Sequence, residues 1–284
     1  MQPEAATRLR GDTATALRIL RTTAADTAVA ALRTFGRTAD LGVTAVRGTV
    51  ADILARRFPW REMLYQAWYL ITVTAIPAIL MAVPFGVVVS VQVGNLIHQL
   101  GADSLVGAAG GLGVIQQGAP IATGLLLGGA GASAIASDLG ARTVREEIDA
   151  LRVMGIDPVH RLVIPRVVAM VLVAPLLNIL VIFAGILAGY VVAVGAQHVT
   201  PGSYWATFGA FTVLNDVWIS LAKAVLFGFL VVIVACQRGL EARGGPRGVA
   251  DGVNAAVVLS VAAIIVLNLA LTQVVTMFLP MRVA

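Results

Sequence analysis

Four long stretches of this chain carry no Asp, Glu, Lys or Arg: residues 63–102, 104–137, 167–215 and 252–281. A fifth, 217–236, holds Lys223 alone. Crossing about 30 Å of hydrocarbon takes roughly 20 apolar residues in a helix, and each of the four exceeds that length. The core of a soluble protein has no use for so much uncharged chain. Only 12% of the 284 residues are charged and 58% are hydrophobic, whereas a soluble domain is roughly a quarter charged. These stretches predict a polytopic membrane protein.

The net charge is +5 and the isoelectric point near 10.1. No aromatic residues interleave with the basic ones as a nucleic-acid surface would require. In a membrane protein basic residues gather instead on cytoplasmic loops, beside anionic lipid. Cys236 is the only cysteine, which excludes a disulfide framework and a cysteine metal cluster.

Residues 1–61 differ in kind from the rest. They are rich in Ala, Thr and Arg, and apolar residues recur at helical spacing through Val43, Val46, Val50, Ile53 and Leu54. This suits an amphipathic helix over 33–58 lying in the headgroup plane, preceded by disordered residues 1–15. Five spans follow, near 66–93, 106–137, 167–195, 217–236 and 253–279. Trp60, Tyr65, Trp68 and Tyr69 form an aromatic belt at the start of the first. Pro77, Pro84 and Pro120 predict kinks. Gly124 and Gly128, and again Gly185 and Gly189, have the four-residue spacing that lets helix backbones approach closely. Residues 196–216 read as a connecting segment outside the membrane.

Arginine placement sets the orientation. Residues 138–166 hold five arginines and 237–251 hold three, while 95–105 and 196–216 hold none. The positive-inside rule puts the N-terminus in the cytoplasm and, after five spans, the C-terminus outside. The predicted fold is all-α and membrane-integral: a cytoplasmic tail with an interfacial helix over 1–61, then a transmembrane domain over 62–284.

The charged segment between spans two and three predicts one short amphipathic helix over 142–154. Arg142, Arg145, Asp149 and Arg152 share one face, and Val144, Ile148 and Leu151 another. Gly155 is a helix stop, and Asp157-Pro158 a cap and first residue for the next helix. By periodicity alone, such a helix is either a solvated connector or a ridge that docks into a groove of a soluble partner.

The run ASAIASDLGARTVREEIDALRVMGIDPVHRLVIPR, residues 132–166, resembles the signature of the MlaE/YrbE permease family. The stretches LRTFGR (32–37), GAPIATGLLLGGAGASA (118–134) and ARGGPRGVADGVNAAVV (242–258) are similar to its N-terminal helix, its second span and the entry to the last span of its actinobacterial branch. The resemblance implies a permease subunit of an ATP-driven lipid transporter in the bacterial inner membrane. Its partners would be a second permease subunit, two cytoplasmic ATPases that bind the ATP and Mg, and MCE-domain proteins; lipids or fatty acids would be imported. It implies that the helix between spans two and three couples to the ATPase through Glu146, Glu147, Ile148, Leu151 and Met154, flanked by Arg145 and Asp149. By analogy, a lipid path between two subunits would use Val88, Gln92 and Leu96 of span one and Leu267, Leu271 and Val275 of span five. Two departures stand out. Gln116-Gln117 occupies the place of a frequent Arg-Glu, and Gly128-Gly129-Ala130 that of Ala-Gly-Arg. They suit one half of a heterodimer whose other half keeps those charges.

The chain itself carries no catalytic pattern. Its only lysine, Lys223, follows no Gly-rich phosphate loop. No His-Glu spacing of a metal site exists, so no cofactor or metal is expected in this chain. Lys223 admits two readings. It either snorkels or pairs with Asp216 seven residues earlier, or it meets an acidic lipid headgroup. Alternatives to the transporter subunit are a scaffold that anchors an MCE assembly and a secondary carrier. The carrier would favour inverted repeats, which are not visible.

Overall fold

A computed structural model describes residues 33–56, 58–101 and 105–278. The expected disorder of 1–15 lies outside them. By its internal contacts the chain divides into two units, Met1–Thr44 and Ala45–Ala284. Residues 33–54 are helical (α1), close to the interfacial helix the sequence predicts. From Ala45 onward its inner face is small: Ala45 is fully buried, and Gly48 lies against Ile164 and His160. Val46, Val50, Ile53 and Leu54 point away from the protein.

All regular structure among the described residues of the second unit is helical. Five helical stretches are long and apolar enough to cross a membrane. The first is α2 (Trp60–Gln99), which runs unbroken through Pro77 and Pro84. The second is a composite, Val106–Val144. In it α3 (Val106–Leu112), α4 (Ala119–Leu126) and α5 (Ala132–Val144) are joined by π-helical turns at Gly113–Gly118 and Leu127–Gly131. The short α6 (Glu147–Val153) precedes a third π turn, Val159–Val163, which leads into α7 (Ile164–Gly195). Then come α8 (Pro201–Phe211), α9 (Leu214–Leu240) and α10 (Pro246–Phe278). The composite span and α9 form the buried centre; α2 and α10 lie at the periphery with most of their surface outward.

Lipid tails are as apolar as leucine, so burial drives helices together weakly here and close backbone contact matters more. Glycine provides that contact. A Cβ on Gly86 would collide with the Gly185 carbonyl, and one on Gly94 with the Gln197 side chain. The same α2–α7 seam is locked by two hydrogen bonds: Ser90 Oγ donates to Gly189 O at 3.0 Å, and Gln197 Nε2 to Ser90 O at 3.1 Å. Gly124 and Gly128 seat Ile264 of α10, with Cβ approaches near 3.0 Å. Gly228 and Gly239 bring α9 onto Ala174 of α7 and Leu139 of α5. At the centre Thr123 Oγ1 donates to Asn178 Oδ1 (3.3 Å) and Asn178 Nδ2 to Ser220 Oγ (2.8 Å), tying α4, α7 and α9. Asn178 thus bonds across helices, which spares a buried amide in hydrocarbon.

Two expectations are corrected. Residues 196–216 are not plain connection: they contain α8, capped by Thr200 with Pro201 in its first turn. Its Tyr204 and Trp205 pack against the Tyr190 ring of α7, Phe208 packs edge-on against Trp205, and Gly107 and Gly111 of α3 receive Tyr204 and Phe208. The single helix over 142–154 is broken. α5 ends at Val144, Glu146 adopts a left-handed backbone (φ 63°), and α6 restarts at Glu147. The stop and restart after it are as the sequence predicts. Gly155 has φ +76°, and Asp157 Oδ1 accepts from Val159 N at 2.9 Å.

Gly86→Leu should drive α2 off α7 and cost more than the roughly 1–3 kcal/mol of ordinary overpacking, since the obstruction is backbone. Gly209→Ala, in open space on α8, should be close to neutral. Thermal unfolding of the purified chain in detergent compares the two.

Candidate functional site

The candidate residues fall in three places. The first is the junction of α5, α6 and α7. Asp138 on α5 accepts from Arg142 Nε (3.2 Å) through one oxygen and from Arg166 Nη2 through the other. Arg166, on the first turn of α7, is 2% exposed and also donates to Leu162 O at 2.6 Å. Arg142 stands 3.8 Å from Glu147, and Glu147 lies 3.4 Å from Arg145. Alternating charge therefore runs from the buried end of α7 through α5 to α6. Each outer pair is half-exposed and contributes about 0.5 kcal/mol at most. The Arg166–Asp138 contact is different, because an unpartnered buried guanidinium costs several kcal/mol.

The seven residues assigned to ATPase contact do not share one surface. Arg145, Glu146, Asp149 and Met154 are exposed; Glu147 and Leu151 are half-buried. Ile148 is 2% exposed and packs within this chain. Leu151 and Met154 line a hollow of about 320 Å³ with Arg142, Glu147 and Leu162. The apolar residues that α6 and its C-terminal turn present outward are Val153 (89% exposed), Met154 (64%) and Ile156. Val153, Asp138 and Arg166 were not picked out from the sequence. Asp138–Arg142 has the i, i+4 spacing of a helix pair, but nothing local joins Asp138 to Arg166.

The second place lies inside the spans. Lys223 on α9 is 4% exposed. Its Nζ donates to Gln116 O (3.3 Å) and to Thr272 Oγ1 of α10 (3.0 Å). Gln117 Nε2 reaches the same Thr272 hydroxyl at 3.4 Å. The expected pairing of Lys223 with Asp216 is not made. Asp216 instead accepts from Gln116 Nε2 at 3.1 Å and from Val213 N at 3.2 Å. Both glutamines sit on the first π turn of the composite span, the kind of irregularity that aims side chains at functional sites.

The third place is the pair of stripes proposed for a lipid path. On α2, Val88, Gln92 and Leu96 face outward together. On α10, Leu267, Leu271 and Val275 form a half-buried row. They do not meet within one chain: α2 packs chiefly on α7, and α10 on α9 and α5. A separate groove of about 500 Å³ lies between α2 and α7, with an apolar lining that includes Val83, Phe183 and Leu187.

Five apolar spans, a small charged helix between the second and third, and a polar cluster held inside the bundle define a polytopic α-helical membrane protein. Residues 63–274 match the family model described as Permease MlaE, and the chain belongs to that family. A Synechocystis protein named "Probable ABC transporter permease protein" is 34% identical over 64% of this chain and 70% of its own length. The Haemophilus influenzae "Intermembrane phospholipid transport system permease protein MlaE" is 26% identical over 78% of this chain and 84% of its own. The chloroplastic protein TRIGALACTOSYLDIACYLGLYCEROL 1 of Arabidopsis thaliana is 25% identical over 82% of this chain and 67% of its own.

Asp138→Asn should destabilise the junction by about 3 kcal/mol, because it leaves the Arg166 charge buried without a counter-ion. Arg152→Ala, which removes only an exposed pair with Asp149, should cost under about 0.5 kcal/mol. Thermal shift in detergent separates them.

Proposed function

We propose that this chain is one permease subunit of an ATP-driven transporter that moves lipids or fatty acids inward across the cell envelope. The reading is supported by membership of the MlaE permease family and by the phospholipid-transport name of the Haemophilus relative. The chain sits in the inner membrane with its N-terminus in the cytoplasm, so that the arginine-rich α5–α7 end faces the ATPases. Two ATPase subunits bind ATP and Mg below; MCE-domain proteins receive or deliver lipid on the other side. A second, non-identical permease completes the pair, bringing the α2 and α10 stripes of two subunits towards a shared path.

The observation that carries this reading is the tip of α6. Val153 and Met154 stand exposed on a helix anchored to the spans by Glu147, Arg142 and Asp138. Exposed apolar residues on a short helix outside the membrane are what a partner's groove takes up. Arg145 and Glu146 before α6 and Asp149 within it are exposed and would set register. Ile148 supports α6 from beneath, and Leu151 lines the hollow beside it. A pull on α6 would pass through the ion-pair chain to the first turn of α7.

Val153→Asp with Met154→Asp should abolish copurification of the ATPase while leaving the elution profile of the permease unchanged, because neither side chain supports the fold. Undiminished ATPase association would sink the coupling assignment. For orientation, a protease-cleavable tag on the N-terminus should be protected in intact spheroplasts and cut after lysis; cleavage in intact cells would reverse the topology.

A further inference from the structure

α5 and α6 meet at a bend that the local sequence does not encode. Glu146 holds a left-handed backbone (φ 63°, ψ 11°) between them. That conformation crowds the Cβ of an L residue against its own backbone, and a helix that ends this way ordinarily has Gly or Asn there. Residues 142–154 contain no Gly, Asn or Pro. Glu146 also heads α6 without a side-chain cap on its first-turn amides, a place that favours Ser, Thr, Asp or Asn. The far end of α6 differs: Gly155 takes the left-handed position there, and Asp157 accepts from the amide of Val159.

The bend is therefore imposed by contacts, and they are few. Ile148 is the one deeply buried side chain of α6. Glu147 meets Arg142 at 3.8 Å and Arg145 at 3.4 Å. These partners stand five and two residues away, separations that do not face each other on one helix. The hollow of about 320 Å³ between Leu151 and Leu162 leaves the underside of α6 loosely packed. A continuous helix would exchange both ion-pair partners: Arg142 would take Glu146, and Arg145 would take Asp149, each at i, i+4. It would give the amides of 147–149 the carbonyls of 143–145 and keep Val144, Ile148 and Leu151 on one face.

The connection to α7 is long enough for both forms. Measured from the Asp138–Arg166 contact, a continuous helix would carry Val153 about 22 Å along its axis, while Val159 lies about 10 Å along α7 and about 10 Å to the side. The six residue steps between Val153 and Val159 reach about 20 Å when extended, against a gap of about 16 Å. We infer that Glu146 is the pivot of a two-state elbow. α5 and α6 are bent in the chain alone and fuse into one helix, Ala132–Val153, when an ATP-loaded ATPase pulls on the α6 tip. This rests on the coupling reading and gives it a clutch: the bent elbow takes up a pull by unbending, and the fused helix passes it through the backbone to Asp138 and Arg166.

The test reads the distance between spin labels on Ser137 and Arg152, both exposed, by double electron–electron resonance. Cys236 is fully buried and stays unlabelled, and single-label controls remove signals from partner subunits. In the fused helix the two Cα atoms are fifteen residues, about 22 Å, apart; in the bent form they are closer. The complex copurified with this chain is measured without nucleotide and after trapping with ATP and vanadate. Trapping should move the wild type from the short to the long distance. Glu146→Gly relieves the left-handed backbone and weakens the fused helix, so it should lower the long-to-short ratio about tenfold. Glu146→Ala removes the same carboxylate and should keep most of the wild-type response. Both variants should fold, since the Glu146 side chain is exposed. The short distance alone in the trapped wild type overturns the elbow, and an ATPase that still copurifies leaves the coupling reading standing. Equal ratios in Glu146→Gly and Glu146→Ala overturn Glu146 as the pivot. A particle without ATPase sinks the coupling reading itself. The two variants are then compared in the chain alone, where a tenfold difference upholds the elbow and equal ratios sink it.

Discussion

Everything in this bundle depends on how near its helix backbones can come. In hydrocarbon there is little gain in hiding one apolar side chain behind another, so dispersion contact and a few interhelical hydrogen bonds hold the spans together. Gly86 against the Gly185 carbonyl is among the closest of these contacts. With α2 fixed on α7 there, Ser90 and Gln197 fall into bonding distance. Gly228 and Gly239 place α9 on α7 and α5 by the same means. The composite span is held in the middle of this frame, and its π turns place Gln116 and Gln117 against α9 and α10.

Two buried cations show how differently the same frame treats charge. Arg166 enters α7 beside a carboxylate and a free carbonyl, and both are used. Its cost is met locally, and the contact ties the first turn of α7 to α5. Among the described residues, the groups that meet Lys223 are neutral. The first arrangement is an ion pair and the second a set of neutral dipoles around a charge.

Much of the fold was legible in the sequence because hydrocarbon imposes few solutions. Uncharged runs at 63–102 and 252–281 have no other use, and four-residue glycine spacing at 124/128 and 185/189 has a direct packing meaning. The helix α8 was missed because residues 196–216 were read as one external connecting segment; Thr200-Pro201 is the local signal of its start. The break at Glu146 was hidden because the periodicity of 142–154 continues through it. Ile148 shows the same limit at the site, since period alone does not say whether an apolar face turns to a partner or to its own chain. Lys223 was visible as a charge within a span. Its surroundings were not, because Gln116 and Thr272 are brought to it from 107 and 49 residues away.

The length of α2 has a consequence of its own. Forty residues at about 1.5 Å each make a rod of about 60 Å, twice the thickness of the hydrocarbon layer. Its aromatic girdle at Trp60, Tyr65, Trp68 and Tyr69 pins the first ten residues near one headgroup layer. The next 20 or so, roughly to Val89, already exhaust the hydrocarbon at modest tilt. Gln92, Asn95 and Leu96 then emerge among or beyond the opposite headgroups. The hydrophobic mismatch of this one helix lifts part of its outward stripe out of the oily layer, so that Val88 and Leu96 belong to different solvents.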